Sequence, residues 1–209
     1  MTTIDTNSSY KGTHIYLGNE KRESLNKMID HLKKEGFVEI SIPIIQFQET
    51  FKDKVGEENN NLMFNFKDRG DRDLCLAPEY TSVVQPLAQT YFKHKKDVKL
   101  FYVQQCFRGE KPQKGRYREF TQLGVEILNP TEDYDYYLQC IAYQLICQVR
   151  TDIKVNTNVT RGLNYYTENK GFEIVCENLG SSKQICGGGP YMDGIGFAIG
   201  MDRLLSGNK

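Results

Sequence analysis

The spacing of apolar residues changes several times along this chain, and each change marks an element. Over residues 19–35, Leu25, Met28, Ile29 and Leu32 recur at i, i+3, i+4 and i+7. Lys21, Arg22, Lys27, Lys33 and Lys34 lie mostly off that stripe, and Gly36 follows. This predicts an amphipathic helix with a glycine stop. Residues 37–45 read as extended chain, with Pro43 barred from a central ladder position because it has no N–H to donate. Residues 62–66 and 72–76 predict a short hairpin about the turn residues Asp68, Gly70 and Asp71. Residues 82–94 place Val83, Val84, Leu87, Ala88, Tyr91 and Phe92 at helical spacing. Pro86 lies inside the pattern and predicts a kink or an early end. The runs 101–107 and 120–128, rich in aromatic and β-branched residues, predict a long hairpin. Residues 134–149 carry Leu138, Ile141, Ala142, Leu145, Ile146 and Val149 on one helical face, and 154–159 and 171–176 read as strands.

Composition narrows the function classes. With 209 residues and 39% hydrophobic content the chain can bury an ordinary core, so one domain over 10–209 is expected after a disordered polar arm at 1–9. Twenty-seven basic residues balance twenty-seven acidic ones, so any affinity for a polyanion must come from a local patch. Cys75, Cys106, Cys140, Cys147, Cys176 and Cys186 form no C-x-x-C pair, and there are only three histidines. Neither a zinc site nor a disulfide framework is expected, and free thiols fit a reducing compartment. No run of about 18 apolar residues occurs, so no membrane is expected as a partner and the location predicted is the cytoplasm.

The connection inside the long hairpin holds the densest candidate chemistry. Arg108, Lys111, Lys114, Arg116 and Arg118 face only Glu110 and Glu119. An arginine fork at a strand end suits bidentate contact with phosphate, although charge alone fits a solvated hairpin tip equally well. On the second arm, Gln122 and Glu126 are four apart and so share a strand face, looking into one pocket if that face is not simply solvent-exposed.

Here a resemblance enters. FRGEKPQKGRYREFTQLGVEI is similar to motif 2 of class II aminoacyl-tRNA synthetases, and in particular of the histidyl-tRNA synthetase family. The helix at 19–35 with the strand that follows resembles motif 1, whose proline lies at a dimer interface. Leu76-Ala77-Pro78-Glu79-Tyr80-Thr81 resembles L-R-P-E-G-T, with Tyr80 where the family has glycine. Arg161-Gly162-Leu163-Asn164-Tyr165-Tyr166 resembles the histidine-specific R-G-L-D-Y-Y, with Asn164 in place of aspartate. Gly187-Gly188-Gly189 resembles the run that floors the pocket, with Pro190 for an arginine, and 194–205 resembles motif 3.

The resemblance implies an α+β fold, a class II synthetase-like antiparallel sheet of about six strands flanked by helices. It implies that Glu79 and Thr81 hold the amino group of L-histidine, that Gln122 reads its carboxylate side, and that Glu126, Tyr165 and Tyr166 meet the imidazole. Arg108 and Arg161 would stabilise charge at the α-phosphate of ATP. Glu110, Arg116 and Phe120 would surround the nucleotide, with adenine on the Phe120 ring and Arg203 on the γ-phosphate. Mg²⁺ would accompany ATP, the acceptor end of tRNA(His) would receive the amino acid, and the chain would form a homodimer. No protein nucleophile is needed. The triple glycine would allow close backbone approach to a ligand, and Thr81 serves equally well as a helix cap. The family's insertion between motif 2 and R-G-L-D-Y-Y is reduced to a few residues after Val149, and its anticodon-binding domain has no counterpart in the chain. Two functions follow: an enzyme that makes histidyl-adenylate and charges tRNA, or a regulatory relative that binds histidine or adenine nucleotide. A trimmed or minimal core is compatible with either.

Overall fold

The computed structural model describes residues 9–10, 13–14, 19–111, 116–179 and 183–206. Of the predicted arm, residues 1–8 lie outside the described set, and so do 112–115 of the motif 2 connection and 180–182 of the run before the glycines. Strand β1 (Ser9–Tyr10) pairs with β2 (Thr13–His14), Ser9 opposite His14.

Helix α1 (Glu20–Lys34) ends as its sequence demands. Gly36 takes φ +83°, its N–H reaches the carbonyl of Lys33, and the N–H of Phe37 reaches that of Leu32, so the last carbonyls are satisfied. Glu20 and Glu23 sit in the first turn and His31, Lys33 and Lys34 in the last, in accord with the helix dipole. Met28 and Leu32 are fully buried, each contributing about 2 kcal/mol from the area removed from water.

Strand β3 (Val38–Glu39) then runs parallel to β7 (Val98–Phe107) at the sheet edge, where Pro43 just beyond it disturbs no ladder. A small sheet follows, of β4 (Ile45–Phe47), β5 (Asn65–Lys67) and β6 (Asp73–Leu76), with a short helix α2 (Gly56–Asn60) between β4 and β5. The predicted helix at 82–94 is instead a single α-turn, α3 (Thr81–Val84), continued as 3-10 turn through Ala88. Pro86 explains the early end, since its ring cannot continue the α ladder.

The hairpin of β7 and β8 (Glu119–Leu128) is in register from Val98 opposite Leu128 to Phe107 opposite Glu119. After α4 (Asp135–Cys147) come β9 (Lys154–Val159), β10 (Gly171–Val175), β11 (Gln184–Tyr191), β12 (Gly194–Gly200) and α5 (Met201–Leu204). The main sheet has seven strands among the described residues, ordered β3-β7-β8-β12-β11-β10-β9, one more than expected and antiparallel except at β3. Alternation along β8 sorts the two faces. Leu123, Val125 and Ile127 pack with α1 and α4, whereas Gln122, Gly124 and Glu126 point to the opposite side. That side is covered by Tyr80, Val84, Phe51, Val55 and Tyr102, and it holds the site.

Residues 148–153 make a short link from α4 to β9. There the buried Arg150 pairs with Asp152 at 2.7 and 2.9 Å and donates to the carbonyls of Leu204, the last residue of α5, and of Ser206 just beyond it. Asn178 and Cys176 also donate to Asp152, so the Arg150–Asp152 pair joins three segments, and its carboxylate is held well below the usual range.

Candidate active site

Four segments that are distant in sequence meet around one cavity of about 320 Å³ on the open face of β8 and β12. The first is the turn from β6 into α3. Here the buried carboxylate of Glu79 accepts the N–H of Ser82 at 3.0 Å, so Glu79, and not Thr81, caps α3. Thr81 is thereby freed for another acceptor, and its hydroxyl donates to Glu126 Oε1 at 2.6 Å.

Glu126 departs from expectation. It is fully buried and lies behind Thr81, off the cavity wall, with its second oxygen taken by the hydroxyl of Tyr191 at 2.7 Å. Gly196 is its cross-strand partner, and a Cβ there would collide with the carboxylate, so the glycine makes room for the acid. Burial pushes Glu126 up to about 8, with the Thr81 and Tyr191 hydroxyls pulling it back. Burial likewise raises Glu79.

The second segment, after β9, supplies Tyr165 and Tyr166. The Tyr165 hydroxyl donates to Glu79 Oε2 at 3.2 Å. The two rings lie 4.6 Å apart and meet Tyr191 at 6.1 and 6.4 Å, which closes an aromatic box. Burial raises all three phenols, so they remain neutral donors at ordinary pH. Asn164 is turned outward. Its backbone N–H reaches Lys54 O at 2.9 Å and its amide reaches Asp53 O at 3.0 Å, so the residue that replaces aspartate docks a neighbouring loop through a donor aspartate lacks.

Arg161 opens this segment and crosses the sheet. Its stem lies over Gly171 and its guanidinium over Gly187, and a Cβ at either glycine would collide with it. Its Nη1 is 3.6 Å from Glu173, and its Nε is buried without a hydrogen-bond partner. This corrects the expectation for the triple glycine. Gly188 leaves room for Phe197 and Gly189 packs on Gly171, so only Gly187 reaches the cavity, and it does so to seat an arginine.

The third and fourth segments form a cationic end. Arg108 donates from Nε to Pro78 O at 3.0 Å, and its guanidinium stands 5.3 Å from the centroid of the Phe120 ring. Arg116 is 3.5 Å from Glu110. Arg203, from α5, donates to Gln184 O at 2.8 Å. Burial, and then the neighbouring Arg116 and Arg108, push Arg203 down to about 10, while Glu110 pulls it back. Gln122 lines the cavity between the two ends and accepts from the Cys106 thiol at 3.3 Å.

All the predicted site residues except Glu126 therefore line one cavity. Tyr80 does not intrude on it. Its ring is buried against Tyr102, its hydroxyl donates to Gln105 O at 2.7 Å, and it is not among the residues that line the cavity. Two residues were not anticipated. Tyr191 orients Glu126, and no pattern in sequence distinguishes it from a core tyrosine. Asp202 is a buried acid that accepts from Lys21 at 3.0 Å and from the N–H of Thr121. Its signal was legible, since an acid inside an apolar run needs a partner.

The cavity thus joins an acidic, hydroxyl-rich end, suited to an ammonium or ring N–H, to a cationic end suited to phosphates. Among the described residues no three His, Cys, Asp or Glu side chains gather as a metal cage. The acids at the cationic end, Glu110 and Asp202, are each paired with a cation.

The family model for histidyl-tRNA synthetase matches residues 18–142. The chain belongs to the histidyl-tRNA synthetase family. Among relatives in this family, the histidine–tRNA ligase of Methanococcus maripaludis is 37% identical over 151 residues, which is 70% of this chain and 36% of the relative. That of Archaeoglobus fulgidus is 26% identical over 305 residues, covering 93% of this chain and 74% of the relative. An alignment longer than the chain itself means that this relative carries stretches inside the aligned span to which nothing here corresponds. The chain thus spans about a third of the first relative's length and about three quarters of the second's. The crystal structure of apo S. aureus histidyl-tRNA synthetase superposes with TM-score 0.72 at 25% identity, over 95% of this chain and 69% of that one. A Bacillus halodurans protein described as an ATP phosphoribosyltransferase regulatory subunit/histidyl-tRNA synthetase gives 0.76 at 15% identity over 98% of this chain and 84% of that one, a likeness of fold.

Proposed function

We propose that this chain activates L-histidine with ATP, forming histidyl-adenylate and pyrophosphate, and passes the histidyl group to the acceptor end of tRNA(His). One observation carries the reading. Arg108 and Arg116 from one hairpin connection, Arg161 from the segment after β9 and Arg203 from α5 converge on the same 320 Å³ cavity as the buried Glu79 and the Tyr165–Tyr166 pair. A purely structural domain has little reason to gather arginines around an opening, since like charges repel there without a ligand.

In this reading Glu79 and Thr81 take the α-ammonium, and Gln122 takes the carboxylate side. Tyr165 and Tyr166 enclose the imidazole, and Glu126 governs the protonation of that end from behind Thr81. The histidine carboxylate oxygen attacks the α-phosphorus of ATP as the bond to pyrophosphate breaks. Arg108 and Arg161 stabilise the charge that develops at that phosphorus, Arg116 and Arg203 hold the leaving phosphates, and Phe120 carries adenine. Positioning and fixed positive charge account for the catalysis, with no protein nucleophile. ATP would carry Mg²⁺ on its phosphates as a further source of positive charge, beside Arg116 and Arg203.

A homodimer is part of the proposal. Val38, Ile45 and Phe47 are 62%, 55% and 46% exposed, and Ile44, Phe64 and Phe66 join them as exposed apolar residues of the edge strand and the small sheet. An apolar group of this kind is commonly covered by a partner surface. A cytoplasmic location fits the free cysteines, and no described helix is long and apolar enough to cross a membrane.

The test is histidine-dependent exchange of labelled pyrophosphate into ATP, with Arg161→Ala as control. Exchange that needs histidine and vanishes in the variant is the expected result. Binding of histidine or ATP without any exchange refutes the enzyme and leaves the regulatory reading.

A further inference from the structure

We propose that Lys21 is a positioning residue for the nucleotide end of the cavity, acting through Asp202, and that this pair keeps the floor of that end electrically neutral. The inference rests on the assignment of that end to ATP. Asp202 lines the cavity beside Arg108, Arg116 and Arg203. One of its oxygens accepts the N–H of Thr121, which lies between Phe120 and Gln122, and the other accepts the Lys21 ammonium at 3.0 Å. The residue that follows it, Arg203, is anchored on Gln184 O. One carboxylate therefore fixes how far the start of β8 stands from α5, and hence how far Phe120 stands from Arg203.

Its charge is the difficulty. A carboxylate only 6% exposed at a site for phosphates would repel them unless neutralised, and every arginine nearby is needed by the ligand. Lys21 supplies the positive charge from a different element. It does so from an unfavourable place, because a cation in the first turn of a helix opposes the helix dipole. Lys21 lies there with its side chain only 21% exposed, and its contact with Asp202 offsets that cost.

The experiment is equilibrium binding of ATP and, separately, of histidine to the full chain and its variants by titration calorimetry. Lys21→Met should weaken ATP by about ten- to a hundredfold, the effect of one uncompensated charge at several ångströms and an effective dielectric near 20. Histidine affinity should not change. Lys21→Arg should restore ATP binding. The double variant Lys21→Met/Asp202→Asn should recover most of it, because the Asn amide oxygen still accepts the Thr121 N–H while the charge is gone. Equal losses for both ligands, unchanged ATP affinity in Lys21→Met, or a double variant no better than the single one would overturn the proposal. A parent chain that binds no ATP would overturn the nucleotide assignment itself, and that outcome is read before any variant is made.

Discussion

Replacing Glu126 with glutamine should stabilise the fold while impairing the chemistry, and pH separates the two effects. Burial moves this carboxyl from an ordinary value of 4.5 to about 8. The folded chain keeps a proton that the unfolded chain has released, so the group's contribution is complete below about pH 4.5 and is lost as pH climbs to about 8. Each pH unit in that window is worth about 1.4 kcal/mol, which makes the penalty about 3 kcal/mol at pH 7 and about 5 kcal/mol beyond pH 8. Glutamine has the same shape. Its oxygen can accept one of the Thr81 and Tyr191 hydroxyls and its amide can donate to the other, so both contacts of the acid survive in some form. Urea unfolding followed by circular dichroism should find the variant and the parent nearly equal at pH 5, with the variant ahead by about 3 kcal/mol at pH 7 and by more at pH 8.5. Histidine binding, measured by calorimetry at the same pH values, should match the parent at pH 5 and fall behind it as pH rises to 8.5, since only the parent's side chain can ionise. A glutamine variant less stable than the parent at pH 8.5, or a stability gap that does not widen with pH, would refute the reasoning.

Gly187→Ala should drive the Arg161 guanidinium off its seat and reduce pyrophosphate exchange by about a hundredfold, while nucleotide binding through Arg108 and Arg203 persists. Asn164→Asp restores the residue common in the family, yet here it removes the donor to Asp53 O. It should cost about 1 kcal/mol in thermal unfolding and should not raise activity. Ile45→Glu places a charge in the exposed apolar row and should shift a dimer to monomer by light scattering, whereas a parent already monomeric would refute the dimer.

What could be read in the sequence followed from regular spacing. The stripe of Leu25, Met28, Ile29 and Leu32 and the stop at Gly36 became α1, and the alternation through Leu123, Val125 and Ile127 sorted the faces of β8. The charged connection of the long hairpin and the motifs around it led to the residues that gather at the cavity. The misses share a cause, namely contacts between residues far apart in the chain. Tyr191 meets Glu126 across sixty-five positions, and Arg161 needs two glycines from other strands. Spacing cannot express either fact. The helical pattern through His94 stops short at Pro86, the early end that a proline inside the apolar spacing predicts.

The pairing of β8 with β12 has a consequence for how the chain acquires its site. Gln122 lies opposite Gly200 and Glu126 opposite Gly196, so the two middle strands of the sheet are neighbours in space across a loop of more than sixty residues. Closing so long a loop brings an entropic loss before any contact repays it, and such pairings slow folding. A nucleotide held by Arg108 before β8 and Arg203 after β12 would span that closure. It would act as a reversible tether on this long-range pairing, and its concentration relative to its dissociation constant would set how often the two halves come apart.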